Sequence, residues 1–232
     1  SMALVAHGLP SPTPDLSCGS SGLRRLSFSA LGTVCDVQYA CDQPAVAQTF
    51  ERHVVQWVQA CEAKYSRFRE NSLVSRINAA AGRGWVEIDA EVEQLFKLCD
   101  TLVFLTQGII DPTILPLMWL WNYKVPRTVL PADAEIARAR SLVGWRKVKR
   151  EPGRVFLPEP GMALDFGGFG KEYAVDVVAQ IAIDHGIANV LVDFGHDLRA
   201  LGRPPDRPAW HIGLENPSMP GVAAGSVALT GN

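Results

Sequence analysis

The stretch from Asp165 to Asp176 reads D-F-G-G-F-G-K-E-Y-A-V-D, and its residue types suit the binding of an anion. Its glycines let the backbone approach a ligand, the N–H groups of a following helix turn point at it, and Lys171 adds a full positive charge. Asp165 and Asp176 are candidates to hold a hydroxyl, a base edge or a metal-bound water. The standard nucleotide motifs are absent. A P-loop carries Ser or Thr after its lysine, where this chain has Glu172, and Gly167, Gly168 and Gly170 miss the spacing of G-x-G-x-x-G. A tight strand-to-helix turn with a solvated lysine accounts for the same residues.

A second candidate lies in Gly108 to Trp121, G-I-I-D-P-T-I-L-P-L-M-W-L-W. Pro112 holds Asp111 extended, and Thr113 adds a second oxygen beside a tryptophan-rich run. That pattern fits a site where a planar ring stacks, and it fits a helix cap with core behind it equally well. Arg67, Arg69 and Arg76, in Y-S-R-F-R-E-N-S-L-V-S-R-I-N, read as a solvated face.

The surrounding pattern predicts the elements that place these residues. Arg25 to Ala40 reads as two strands broken at Leu31-Gly32-Thr33. Asp42 caps a helix whose buried stripe is Phe50, Val54, Trp57, Val58 and Cys61. Asn71 or Ser72 caps a short helix with Leu73, Val74 and Ile77 inward and Gly82 at its end. Trp85 to Ile88 is a brief strand, and Asp89 caps a long apolar helix that Gly108 stops. Pro131 to Val143 is helical, with strands at Trp145–Arg150 and Arg154–Leu157. Met162 to Leu164 reads as a strand leading into the glycine loop, and Tyr173 to Ile183 as the helix after it, stopped by Gly186. Strands follow at Asn189–Phe194, Leu198–Gly202, Trp210–Leu214 and Ser226–Leu229. The chain stops at Asn232 just after a strand, an ending that reads as a truncation.

Composition narrows the class. A chain of 232 residues with 47% apolar content can bury one sizeable core. A formal net charge of −2 without a basic run argues against nucleic acid as a partner. The five cysteines, Cys18, Cys35, Cys41, Cys61 and Cys99, never form C-x-x-C, so neither a disulfide framework nor a zinc site is expected. No run approaches the roughly 18 apolar residues of a membrane helix, and no secretory leader is visible. Residues 1–24, rich in Pro, Ser and Gly, read as a flexible arm, and 25–232 as a single domain of mixed α/β (α+β) class.

In order, the motifs are L-G-T, S-R-F-R-E-N-S-L-V-S-R-I-N, G-I-I-D-P-T with L-x-W-x-W, L-D-F-G-G-F-G-K-E-Y-A-V-D, V-D-F-G-H-D-L and W-H-I-G-L-E-N-P. From Leu26 to Pro217 this series resembles the FAD:protein FMN transferase family, the ApbE-like flavin transferases. The resemblance implies magnesium-dependent transfer of FMN from FAD to a Thr or Ser hydroxyl of an acceptor flavoprotein, with release of AMP. It also implies site residues. Leu31 stands where the family has the Met of M-G-T at the FAD site. Phe68 stands at a flavin-contacting aromatic, often Tyr, and Ile109, Ile110 and Asp111 at the flavin-binding tripeptide. Asp165 and Lys171 match two further FAD contacts, and the carbonyl of Gly168 matches one metal ligand. The resemblance thus implies a site formed between the Asp111 turn and the Asp165–Lys171 loop. Two departures stand out. Gly195-His196-Asp197 replaces the family's Gly-Gly-Asp, and the family's later Ser/Thr-Gly-Asp and His-x-x-Asp-Pro-x-Thr-Gly stretches, with two side-chain metal ligands, do not occur before Asn232. No catalytic residue is therefore assigned. An FAD pyrophosphatase or a non-catalytic FAD-binding protein is the alternative reading. Relatives work outside the cytoplasmic membrane in many cases, and the compartment stays open between periplasmic, membrane-anchored and cytoplasmic.

Overall fold

The computed structural model describes the backbone of residues 15–18 and residues 22–121 and 129–231. The backbone falls into two compact units: residues 1–62 with 170–232, and residues 63–169. The first unit is assembled from two separate stretches of chain, a pairing that no local pattern announces.

The first unit is built on a five-stranded antiparallel sheet in the order β1-β2-β3-β7-β8. Its strands are β1 (Asp15–Cys18), β2 (Leu23–Ala30), β3 (Thr33–Ala40), β7 (Val190–Phe194) and β8 (Asp197–Leu201). Residues 15–18 of the expected arm thus pair with β2; the rest of it up to residue 21 lies outside the described residues. Alternation decides the faces. Leu26, Phe28 and Ala30 of β2, Cys35, Val37 and Tyr39 of β3, and Val190, Val192 and Phe194 of β7 are all buried. They form one core with Phe50, Val54 and Val58 of helix α1 (Pro44–Tyr65) and with Ala174, Val178 and Ile181 of helix α6 (Gly170–Asp184). The predicted α1 stripe holds except at Trp57, which is half-buried at its margin. A separate two-stranded sheet pairs β9 (Trp210–Glu215) with β10 (Ala223–Leu229).

Two tight hairpins close the same end of the five-stranded sheet. Leu31 and Gly32 link β2 to β3 with φ of +54° and +73°, and Gly195 and His196 link β7 to β8 with φ of +62° and +75°. Two consecutive residues of positive φ are what a twisted two-residue hairpin requires. A Cβ on Gly195 would sit 2.4 Å from the Thr33 hydroxyl, so the close approach of the two turns demands glycine there. His196 occupies the left-handed region without that excuse. Its backbone N–H donates to Asp193 Oδ1 at 2.8 Å and its side chain is exposed, so it is a tolerated turn residue. His196→Gly is expected to stabilise this unit by about 1 kcal/mol, the left-handed penalty of a side chain. A urea midpoint that rises at constant slope will show it; an unchanged or lower midpoint would mean the imidazole makes a compensating contact.

The second unit carries helices α2 (Leu73–Ala79), α3 (Ala90–Leu105), α4 (Leu115–Leu120) and α5 (Asp133–Ser141). It also holds a small antiparallel sheet of β4 (Val86–Glu87), β6 (Arg154–Phe156) and β5 (Lys149–Glu151). Ser72 caps α2, its hydroxyl accepting from Ser75 N–H at 3.0 Å, and Asp89 caps α3 through Val92 N–H at 3.1 Å, both as the sequence predicts. The Asp89 carboxylate also accepts from Lys64, which together with the cap holds its pKa below the usual carboxylate range. The core includes Leu73, Ile77, Leu95, Phe96, Leu115, Leu157 and Leu164. Two predicted strands differ. Trp145–Lys147 forms a 3-10 turn, leaving β5 only Lys149–Glu151. Met162–Leu164 is buried but is no strand, because its partner is a side chain: Asn78 Nδ2 donates to the Leu164 carbonyl at 3.0 Å and Leu164 N–H donates to Asn78 Oδ1 at 2.7 Å. A single amide supplies the donor and acceptor of a neighbouring strand. Among the described residues, no helix is long and apolar enough to cross a membrane.

Candidate functional site

The glycine loop is pinned by its aromatics. Phe166 and Phe169 are both buried, and Phe166 packs on Phe96, on Tyr65 and on Phe169 at centroid distances of 6.2, 6.1 and 5.9 Å. Between them Gly167 and Gly168 are exposed. Asp165 Oδ1 accepts from Gly167 N–H at 2.8 Å, and a Cβ on Gly167 would crowd that oxygen at 3.1 Å, so this glycine keeps the turn closed. Among the described residues, nothing lies within 4 Å of where a Cβ on Gly168 would stand.

Asp165 ties three parts of the second unit together. Its Oδ2 accepts from Arg67 Nε at 2.9 Å, and its backbone N–H donates to the Pro112 carbonyl at 2.8 Å. The D-P-T turn and the D-F-G-G loop are thereby one structure. Arg67 is the residue that the sequence reading missed. It stands 98 positions from its ion-pair partner, and among three arginines in a polar run nothing local singles it out. Its guanidinium also lies over the Phe68 ring, 4.1 Å from the centroid. Phe68 and Ile109 are exposed, at 71% and 88%, as are several other large apolar side chains of the chain. Ile110 is half-buried, its N–H donating to Thr106 Oγ1 at 3.1 Å.

Asp111 is a local hub. Its Oδ1 accepts from both the N–H and the hydroxyl of Thr113, at 2.8 and 2.6 Å, and its Oδ2 accepts from Trp145 N–H at 3.0 Å. Thr113, fully buried, in turn accepts from Gly144 N–H at 2.7 Å. Helix α4 starts after Ile114 with no side-chain cap, so Asp111 is not the expected helix cap; it closes the turn ahead of the helix instead, and what remains available to a ligand is the outer lone pairs of a carboxylate already holding three donors.

The remaining candidates lie in the first unit. Leu31 is half-buried against the core, and its N–H donates to Glu62 Oε1 at 3.1 Å. Lys171, in the first turn of α6, is paired with Asp197 Oδ2 of β8 at 2.7 Å. Asp176 is taken up by Arg199 at 2.6 Å. Cys35, Cys41 and Cys99 form no disulfide, and burial pushes the Cys35 and Cys99 thiols up to about 12, which removes both as nucleophiles near neutral pH.

A magnesium ion prefers six oxygen ligands, several of them water or phosphate. Among the described residues no group of three or more His, Cys, Asp or Glu side chains is placed to hold a metal ion. Asp165 is engaged by Arg67 and Gly167, so the Gly168 carbonyl does not make a metal site by itself.

Comparison with known proteins converges on one group. A family model described as the ApbE family matches residues 31–232. An FAD:protein FMN transferase of Vibrio cholerae is 27% identical over 198 residues, covering 84% of this chain and 59% of the relative. One from Klebsiella pneumoniae is 28% identical over 222 residues, covering 93% and 63%. The solved flavin transferase ApbE of Vibrio cholerae superposes with a TM-score of 0.76 at 26% identity, covering 84% of this chain and 64% of that one. An ApbE protein from Thermotoga maritima gives 0.77 at 28% identity, covering 89% and 67%. The chain spans about 60% of the length of the curated relatives it matches.

Proposed function

Because this chain belongs to the ApbE family, we propose that it binds FAD and serves the transfer of the FMN moiety to a Thr or Ser hydroxyl of an acceptor flavoprotein. In that reaction the acceptor oxygen forms a bond to the FMN phosphorus, the P–O bond to the AMP half breaks, AMP leaves with the bridging oxygen, and the hydroxyl proton passes to a base or to water. The observation that supports the reading best is the Asp165 N–H to Pro112 carbonyl bond, with the Arg67–Asp165 pair beside it. It joins the two most specific motifs, far apart in sequence, through backbone at the point where the reading needs both.

The proposed roles follow from chemistry. Phe68 and Ile109 offer apolar surface to the flavin ring. Asp165, and Asp111 with its outer lone pairs, accept from ligand N–H or O–H groups. By motif position Leu31 and Lys171 are proposed as further FAD contacts; Lys171 is a cation paired with Asp197. Magnesium, when bound, would neutralise charge developing on the phosphates; the Gly168 carbonyl is proposed as one of its ligands.

The test is AMP release from FAD with magnesium, with and without an acceptor domain carrying a target threonine, and in-gel flavin fluorescence of the denatured acceptor. Acceptor-dependent AMP with a fluorescent acceptor band is the expected result. Free FMN would assign hydrolysis instead, and FAD binding without AMP would leave a binding function alone. Failure to bind FAD at all would overturn the reading.

A further inference from the structure

Arg67 carries more than a counter-charge for Asp165. A guanidinium that serves only to neutralise a carboxylate commonly meets it with two parallel N–H bonds. Here only Nε reaches Asp165, at 2.9 Å, and among the described residues neither Nη atom has a hydrogen bond or an ion pair. The side chain is nonetheless firmly placed. Asp165 fixes one edge and the guanidinium carbon lies 4.1 Å from the centroid of the Phe68 ring, while the Ser75 hydroxyl holds the backbone below by donating to the Arg67 main-chain carbonyl at 3.4 Å. Its side chain is 25% exposed. A planar fork of N–H donors, ordered before any ligand arrives, is the arrangement that suits a phosphate.

We propose that the Nη groups of Arg67 bind phosphate oxygens of the flavin nucleotide whose ring lies on Phe68. This rests on the FAD reading above and adds to it the residue that distinguishes a phosphorylated flavin from the bare ring. Asp165 is then an orienting partner as well as a contact: it turns the fork outward by occupying Nε. The sequence motif pairs the two functions on adjacent residues, an arginine for the phosphate and an aromatic for the ring.

The experiment compares riboflavin, FMN and FAD as ligands of the 232-residue chain, by quenching of flavin fluorescence, in the unaltered protein and in Arg67→Met and Arg67→Lys. Loss of a charged hydrogen-bonding group predicts that Arg67→Met weakens FMN and FAD roughly tenfold or more, with riboflavin changed less than about twofold. Arg67→Lys keeps the charge and loses the fork, so it should recover part of the discrimination. If Arg67→Met proves too unstable to titrate, the Lys variant decides alone, since a preserved FAD-to-riboflavin ratio there would overturn the proposal. Equal weakening of all three ligands would also overturn it, leaving Arg67 as a support for Phe68 and Asp165. Unaltered protein that binds none of the three would overturn the FAD reading itself, and this proposal with it, which separates the two failures.

Discussion

Asp165→Ala is expected to abolish measurable FAD binding and to destabilise the second unit by about 2–3 kcal/mol. The stability loss follows from what the carboxylate touches. It is 11% exposed and accepts from Arg67 Nε and Gly167 N–H at 2.9 and 2.8 Å. Removing it strands a guanidinium that is only 25% exposed and opens the turn that Gly167 closes. The binding loss is larger than one contact, because the outward pose of Arg67 and the shape of the glycine loop go with it. Asp165→Asn separates these effects. An amide oxygen can still accept from Gly167, so the turn should persist, while the NH2 now meets Arg67 Nε and the guanidinium, 25% exposed, must turn toward solvent. FAD affinity measured by fluorescence quenching, beside urea denaturation of both variants, gives the result. Unaltered FAD affinity in Asp165→Ala would remove Asp165 from the site, and unaltered stability would mean that the pair to Arg67 contributes nothing to the fold.

How much of this was legible in the sequence depends on the distance over which the deciding interaction acts. The cap residues Ser72 and Asp89, the buried triplet of α2 and the hairpin at Leu31-Gly32 are local, set by neighbours within a turn or two, and each is readable as written. Met162–Leu164 looks like a strand because burial and extended backbone are local properties, but what satisfies it is Asn78, 86 positions from Leu164. Trp145 looks like the start of a strand and instead enters a 3-10 turn because Asp111 captures its N–H across 34 positions. The site divides the same way. Asp111, Asp165 and Phe68 were marked by motif, while Arg67 acquires its meaning only through a pair that no spacing rule reaches. Likewise the first unit depends on β3 pairing with β7, strands drawn from opposite parts of the chain.

Asp111→Ala should separate a structural role from a binding role more sharply than any other substitution in this chain. Three donors converge on that carboxylate, and one of them, the Thr113 hydroxyl, belongs to a residue with no solvent exposure. Leaving a buried hydroxyl and two backbone N–H groups without an acceptor costs about 3 kcal/mol or more, enough to unsettle the Gly144–Trp145 turn. Asn is no remedy, for a reason of geometry. Its amide can present oxygen to Thr113 or to Trp145, and whichever it serves, the other N–H meets an NH2 group. Both variants are therefore expected to unfold at markedly lower urea, Asn nearly as early as Ala, in contrast to position 165, where the partly exposed Arg67 side chain can move off the amide NH2 and Asn keeps the turn. If Asp111 also contacts the flavin, FAD affinity measured below the unfolding transition will fall in both variants. If its three internal hydrogen bonds are its whole role, a folded Asp111→Asn protein will bind FAD as the unaltered chain does, and the flavin contacts of this turn reduce to Ile109, Ile110 and the backbone. A variant as stable as the unaltered protein would contradict the hub itself, since no other acceptor stands in for these three donors among the described residues.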